Sequence, residues 1–131
     1  MTPAGKHRKE IESLLKMSEE NLEDARSLFS SGSYRGAISR AYYVFFDSAK
    51  AALLTKGVLP KSHGGAIAKF GEVFVKANLI KGDYGRAFNR ALEIRMEADY
   101  EALRQFSEEE AKEMIEEARK FFDEVRPLCN G

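Results

Sequence analysis

The chain has 131 residues, of which 44% are hydrophobic and 32% are charged, and its formal net charge is zero. This length predicts one domain over residues 1–131 with a sizeable core, and the composition excludes a disordered chain. The zero net charge gives no basis for strong non-specific binding to nucleic acid.

The single cysteine, Cys129, excludes an intrachain disulfide. No apolar run approaches the ~18–20 residues that span a bilayer. The basic N-terminus is followed by no apolar stretch of the secretory kind. We therefore expect a cytoplasmic protein without membrane contact.

Apolar spacing at three- and four-residue steps predicts helices and no strand. Three of the helices have the approximate bounds Lys9–Phe29, Tyr34–Lys56 and Tyr84–Leu103. A further helix begins after Ser62 and a last one after Ser107, each with the serine as its N-cap. The loops between them are short, so the fold class is all-α: an antiparallel bundle of about five helices with an up-and-down core.

Local signals mark the ends of these helices. Gly57 is typical of a helix C-terminus, and Asn78 closes the third helical segment. Asp83 is the expected cap of the fourth helix, whereas Ser107 and Glu110 form the pattern of a capping box.

The second helix carries apolar or small residues on two faces. One face consists of Ile38, Tyr42, Phe45, Ala49 and Leu53, and the other of Ala37, Ala41, Val44, Ser48 and Ala51. A helix that is apolar on two sides has neighbours on both, so we place it at the centre of the bundle.

Charged residues on this central helix are the first candidates for a site. Arg40, Tyr43 and Asp47 follow at steps of three and four, and Arg95 and Asp99 lie four residues apart on the fourth helix. Charges on inner helices are costly unless they are paired or kept in a wet cleft. Two interpretations stay open: an arginine fork that binds phosphate or carboxylate, and an ion-pair network that fixes the helix register.

Residues 60–65 (PKSHGG) give a second, weaker candidate. Free amides at a helix N-terminus, with His63 and a lysine nearby, could hold a phosphate. The segment lacks the full phosphate-loop pattern, so an ordinary loop with a capped helix, and His63 as an exposed capping residue, fits it as well.

Neither a metal nor a cofactor is expected. The two histidines, His7 and His63, are far apart in the sequence and no cysteine pair exists, although a carboxylate-only metal site stays open. Cys129 has no histidine near it in the sequence, so nucleophilic catalysis has little support.

Four segments together resemble HEPN domains (higher eukaryote and prokaryote nucleotide-binding). They are SYRGAISRAYY at residues 33–43, LLTKG at 53–57, PKSH at 60–63 and RMEADY at 95–100. The resemblance covers nearly the whole chain and is strongest to the prokaryotic branch associated with minimal nucleotidyltransferases. It implies an all-α bundle, a homodimer, and association with a nucleotide or RNA.

Many HEPN proteins are metal-independent ribonuclease toxins with an Arg followed four to six residues later by His. Arg95 has no such His, and Asp47 stands where similar sequences often carry His. An aspartate paired with arginine would stay ionised and would be a poor general acid. Whether the protein is an enzyme therefore stays open.

Three hypotheses follow. The first is a HEPN-like module that binds a nucleotide or a partner, working with a minimal nucleotidyltransferase in a toxin–antitoxin-type pair. Its cleft would be lined by Arg40, Tyr43, Asp47, His63, Arg95 and Asp99, near the axis of a homodimer. The second is a ribonuclease toxin with an atypical site, and the third is a purely structural oligomerisation unit.

Overall fold

The computed structural model describes residues 2–130 and contains no strand in that range. Its helices are α1 (Pro3–Lys6), α2 (Arg8–Ser30), α3 (Tyr34–Leu54), α4 (His63–Phe70), α5 (Gly82–Tyr100) and α6 (Glu108–Val125). A π-helical turn, Gly71–Val75, continues α4, and a 3₁₀ segment, Arg126–Asn130, follows α6. The predicted all-α class with about five helices is confirmed, with the single turn of α1 as an addition.

The bundle runs up and down around α3. Ser18 of α2 bonds to the carbonyl of Val44, and Ser39 at the start of α3 bonds to Asp99 at the end of α5. The Ser39–Asp99 contact makes α5 antiparallel to α3, and the short connection between Ser30 and Tyr34 makes α2 antiparallel to it as well. The prediction that α3 is the central helix agrees with its contacts, because it packs against α2, α5 and α6.

The core is aromatic at its centre. The ring of Phe121 on α6 lies 4.8 Å from Phe45, 5.3 Å from Phe70 and 5.5 Å from Phe88, measured between centroids. All four side chains are fully buried. Because they come from α3, α4, α5 and α6, this cluster fixes the four helices relative to one another.

Helix ends follow the predicted signals in most places. Ser62 accepts a hydrogen bond from the Gly65 amide, and Ser107 and Glu110 form the complete capping box. Gly57 has a φ of 72°, and the amide of Val58 reaches back to the carbonyl of Leu53 at 3.0 Å, which is the expected glycine-terminated helix end.

Two predicted boundaries are wrong. Asp83 does not cap α5, because Lys81 takes the capping position and the Asp83 carboxylate pairs with Arg86 at 2.5 Å instead. The same helix ends at Tyr100, not at Leu103. The guanidinium of Arg35 binds the carbonyls of Ala98 and Arg104, so these acceptors are satisfied without a further helical turn.

Other predictions need smaller corrections. α3 ends at Leu54 rather than Lys56, since the last turn tightens into the Gly57 motif. Asn78, with a φ of 59°, ends the third helical segment as predicted, and Ala77 just before it is exposed. Across residues 2–130, none of the helices has the length and hydropathy that crossing a bilayer requires.

Candidate functional site

The exposed side of α3 brings two arginines to one tyrosine. The guanidinium carbon of Arg40 lies 5.1 Å from the centre of the Tyr43 ring, and that of Arg95 lies 5.2 Å from the same centre. An arginine over an aromatic face is held by the ring's quadrupole. Tyr43 is thus the residue that brings the charges of α3 and α5 together.

Arg95 is the most constrained of these groups. Its guanidinium also lies 5.2 Å from the Tyr42 ring, and it pairs with Asp99 at 2.9 Å. Asp99 in turn accepts a hydrogen bond from Ser39 at 3.0 Å. The buried Nε of Arg95 has no hydrogen-bond acceptor among residues 2–130. The protein therefore fixes this guanidinium while leaving part of its donor capacity unused.

Arg40 and Asp47 do not pair directly, contrary to expectation. Asn21 of α2 lies between them: it accepts from Arg40 at 3.1 Å and donates to Asp47 at 3.1 Å. Arg95 pairs within its own helix, with Asp99, rather than with Asp47 of α3.

Asp47 is buried, with 5% of its surface exposed. Burial raises the pKa of its carboxyl to about 6, against the opposing influence of Lys50, the Asn21 hydrogen bond and Arg40. With this pKa the carboxyl is mostly ionised at pH 7 and becomes protonated as the pH falls below about 6. A buried aspartate with this pKa can exchange a proton near neutral pH.

His63, the first residue of α4, turns towards α3 rather than standing exposed at the helix end. Its Nδ1 lies 2.7 Å from the hydroxyl of Tyr42, and its ring centre lies 4.3 Å from that of Phe46. Burial, followed by the charges of Arg95 and Lys50, lowers the pKa of His63 from its ordinary value. The imidazole is therefore neutral at pH 7. It lies beside Tyr42 and Tyr43, the two rings that also contact Arg95.

A cleft of about 420 Å³ opens beside this arrangement on the α2 side. It is lined by Met17, Glu20, Asn21, Asp24, Arg40, Tyr43 and Asp47. The cleft thus has two electrostatic sides, with the guanidinium of Arg40 beside Tyr43 and the carboxylates of Glu20 and Asp24 along α2. Such a surface offers donors to an anion on one side and acceptors to hydroxyl or amino groups on the other.

All six residues predicted for the site lie along this face. Arg40, Tyr43 and Asp47 line the cleft, while His63, Arg95 and Asp99 adjoin it through Tyr42, Tyr43 and Ser39. That they bind a ligand stays a prediction. The PKSH segment does not form a separate phosphate loop, because Ser62 already occupies the Gly65 amide and His63 faces Tyr42.

Sequence reasoning missed Asn21, Ser39 and the hydroxyl of Tyr42. The signal for Asn21 was present: it falls beside Leu22 on the inner side of α2, where a polar residue needs a buried partner. Within residues 2–130, side chains of His, Cys, Asp and Glu do not gather in threes around a space fit for a metal ion.

Comparison with known proteins gives one family match and several similar proteins. The sequence model described as HEPN domain matches residues 11–128. A Methanocaldococcus jannaschii protein named "Putative toxin MJ0605" is 44% identical over 91% of this chain and 88% of its own length. A second protein of that organism, "Putative toxin MJ0142", is 33% identical over 92% of this chain and 82% of its own. A Thermotoga maritima "UPF0332 protein" is 35% identical over 90% of this chain and 89% of its own length.

Proposed function

The chain belongs to the HEPN domain family, and from this premise we propose that it is a toxin-like module whose cleft binds the phosphate group of a nucleotide or RNA. In this proposal it acts as a homodimer paired with a minimal nucleotidyltransferase. The toxin names of two relatives support the toxin-like role. The observation that carries the binding role is the convergence of Arg40 and Arg95 on Tyr43.

The convergence favours an anion over a purely structural function. Arg95 has one carboxylate partner, Asp99, which contacts a single terminal nitrogen of the guanidinium, so further terminal N–H donors remain for a ligand. A guanidinium that is fixed by aromatic rings but only partly hydrogen-bonded is preorganised for a planar, bidentate acceptor. Phosphate oxygens are such acceptors.

The acidic side of the cleft adds a reason for a nucleotide rather than free phosphate. Glu20 and Asp24 line it together with Arg40. Carboxylates accept hydrogen bonds from ribose hydroxyls and from the amino groups of bases. A ligand with a phosphate at one end and donors at the other matches both sides of the cleft.

A thermal-melting series tests the binding role. ATP and a short single-stranded RNA are expected to raise the melting temperature of the wild-type protein, since a ligand that binds only the folded state stabilises it. Arg95→Ala should abolish the shift, and Arg95→Lys should reduce it because lysine lacks the fork. Arg86→Ala is the matched control, because Arg86 is an exposed residue of the same helix. An unchanged shift in Arg95→Ala would remove the site assignment.

A ribonuclease with an atypical site is the second candidate, and His63 favours it. The sequence lacks a histidine shortly after Arg95, yet the fold places His63 against Tyr42 and Tyr43, the two rings that also hold Arg95. A neutral imidazole can accept a proton from a ribose hydroxyl, with Arg95 stabilising the phosphorane. RNA cleavage that survives chelators and is lost in His63→Ala would establish it, whereas intact RNA after incubation with the wild-type dimer would count against it.

The nucleotidyltransferase pairing has its own test. Co-expression of this chain with a minimal nucleotidyltransferase encoded beside its gene should yield a complex that stays together in gel filtration. Two separate peaks at micromolar concentration would contradict this part of the proposal and leave the binding site unaffected.

A further inference from the structure

Asn21 is a buried polar residue of α2 that makes hydrogen bonds to two charged residues of α3. Only 9% of its surface is exposed. Its Oδ1 accepts a hydrogen bond from Nη1 of Arg40 at 3.1 Å, and its Nδ2 donates to Oδ2 of Asp47 at 3.1 Å. All three residues line the candidate cleft. A buried amide that is hydrogen-bonded at both ends has a defined position and orientation.

The packing of α2 on α3 sets the position of Asn21. Ser18, one turn earlier on α2, is fully buried and donates to the carbonyl of Val44 at 2.8 Å. Residues three apart lie on the same side of a helix, so both contacts fasten one line of α2 to α3. Arg40 and Asp47 are two turns apart on α3, with a rise of about 10 Å between them, and the Asn21 amide bridges their side chains.

The chemistry of the two partners determines which way the Asn21 amide points. An arginine offers only donors, whereas an ionised carboxylate offers only acceptors. Asparagine presents an acceptor to the first and a donor to the second within one planar group. The reversed amide would place its NH₂ group against the guanidinium and its oxygen against the carboxylate, and both hydrogen bonds would be lost. Asp47 therefore holds Asn21 with its oxygen towards Arg40.

Arg40 is held by uncharged groups. The Asn21 oxygen and the Tyr43 ring both contact its guanidinium, and neither carries a charge that would compete with an anionic ligand. The hydrogen bond to Asn21 uses one of the five N–H donors of the guanidinium. An arginine loses rotamer freedom when it binds a ligand, and a contact that already orders the side chain reduces this cost. A carboxylate at position 21 would instead compete with the ligand for the guanidinium.

We propose that Asn21 is a positioning residue, which holds the guanidinium of Arg40 in the orientation that receives a phosphodiester of RNA, and that Asp47 fixes the orientation of Asn21. This inference rests on the anion site in the proposed function and adds the residues that prepare it. Asn21 acts on the ligand through Arg40, so its contribution to binding exists only where Arg40 is present.

A double-mutant cycle, measured by the anisotropy of a labelled single-stranded RNA, tests this role. Asn21→Leu removes both hydrogen bonds at nearly constant side-chain size and should raise the Kd by about threefold, within what one net hydrogen bond contributes. In the Arg40→Ala background the same substitution should leave the Kd unchanged, because the group that Asn21 positions is gone. In the Arg95→Ala background it should still raise the Kd by about the same factor.

An NMR titration of the Asp47 carboxyl, in the protein without RNA, separates a lost hydrogen bond from a disturbed fold. The hydrogen bond from Asn21 opposes the burial that raises the pKa of Asp47, so Asn21→Leu should raise this pKa further. Loosened packing between α2 and α3 would admit water and lower the pKa towards its ordinary value instead. The ionisable groups around this carboxyl stay the same in the variant: Arg40, Tyr42 and Lys50 on α3, and Glu20 and Asp24 on α2.

The possible results separate the positioning role from the binding site. A Kd for Asn21→Leu equal to that of the wild-type protein, or an equal loss of affinity with and without Arg40, would overturn the positioning role alone. A lowered pKa of Asp47 in the variant would overturn it too, because the loss would then come from disturbed packing. Asn21→Ala removes the same two hydrogen bonds and should give the same pattern, which excludes an effect of the leucine shape. A wild-type protein that binds no RNA would overturn the proposed function, and the positioning role with it.

Discussion

The hydroxyl of Tyr42 lies 2.7 Å from Nδ1 of His63, and this contact joins the central helix α3 to the start of α4. Burial raises the pKa of Tyr42 and lowers that of His63, so both groups are neutral at pH 7. The hydrogen bond is thus one between neutral partners, and it sets the position of the imidazole beside the rings that hold Arg95.

Removing the hydroxyl tests what this contact contributes. Tyr42→Phe should lower the free energy of unfolding by about 1 kcal/mol, the usual net value of a neutral hydrogen bond. The ring and its packing remain, so urea unfolding should keep its cooperativity. A loss of several kcal/mol would mean that the hydroxyl stabilises the fold through more than its one hydrogen bond to His63.

The titration of His63 should be visible in stability. Its folded-state pKa lies below the ordinary value of about 6.5, so the unfolded chain binds more protons when the pH falls. The contribution of the neutral His63 to the free energy of unfolding is present above about pH 6.5. It is lost as the pH falls through the folded-state pKa. His63→Gln should reduce the fall in unfolding free energy with pH. Denaturant unfolding measured at several pH values between about pH 7.5 and about pH 5 checks this.

Asp47 affects the pH dependence of stability in the opposite direction. Its folded-state pKa of about 6 exceeds the ordinary value of about 4, so the folded protein binds more protons across that window. Its contribution is complete below about pH 4 and is lost as the pH rises through about 6. At pH 7 the buried, ionised carboxyl therefore lowers the free energy of unfolding by roughly 3 kcal/mol, taking ~1.4 kcal/mol per pKa unit.

Asp47→Asn should therefore stabilise the protein at pH 7 and change little near pH 4. The amide oxygen can still accept the hydrogen bond from Asn21. Denaturant midpoints at the two pH values measure the difference, with His63→Gln as the variant of opposite sign. Equal stabilisation at both pH values would show that the effect is not one of ionisation.

Backbone strain at Gly57 gives a prediction that is independent of charge. Its φ of 72° disfavours a side chain, and a Cβ there would lie 3.4 Å from Pro3. Gly57→Ala should cost about 1 kcal/mol of unfolding free energy. Gly64→Ala is the control, because its Cβ would meet no atom within 4 Å and should be neutral or slightly stabilising. Thermal unfolding of both variants compares the two positions.

The sequence predicted the centre of the fold well because α3 bears apolar residues on two faces. Every residue named on those faces, from Ala37 to Leu53, is fully buried. Helix periodicity alone determines this pattern, so no knowledge of the neighbouring helices was needed. The capping box at Ser107 was equally predictable, since its hydrogen bonds are local.

The site was less predictable because it depends on tertiary contacts. The spacing placed Arg40 and Asp47 on one side of α3, but only the packing of α2 places Asn21 between them. Similarly, the end of α5 depends on Arg35, which is more than sixty residues away from the carbonyls that it binds. Local patterns do not contain such long-range hydrogen bonds.

The acidic and aromatic surroundings explain why the arginines of this site are not interchangeable. Arg95 contacts two tyrosine rings and one carboxylate, whereas Arg40 contacts one ring and reaches Asp47 only through Asn21. Arg40 is accordingly less constrained. Loss of Arg95 should weaken ligand binding more than loss of Arg40 does.

Fluorescence anisotropy with a labelled single-stranded RNA tests the central claim, that Arg40 and Arg95 form one anion site over Tyr43, most directly. Arg95→Ala should raise the Kd by about tenfold to a hundredfold, the equivalent of one or two charge-assisted hydrogen bonds, and Arg40→Ala should raise it by a smaller factor. Arg86→Ala should leave it unchanged. Equal Kd values for the wild-type protein and both site variants would contradict the account.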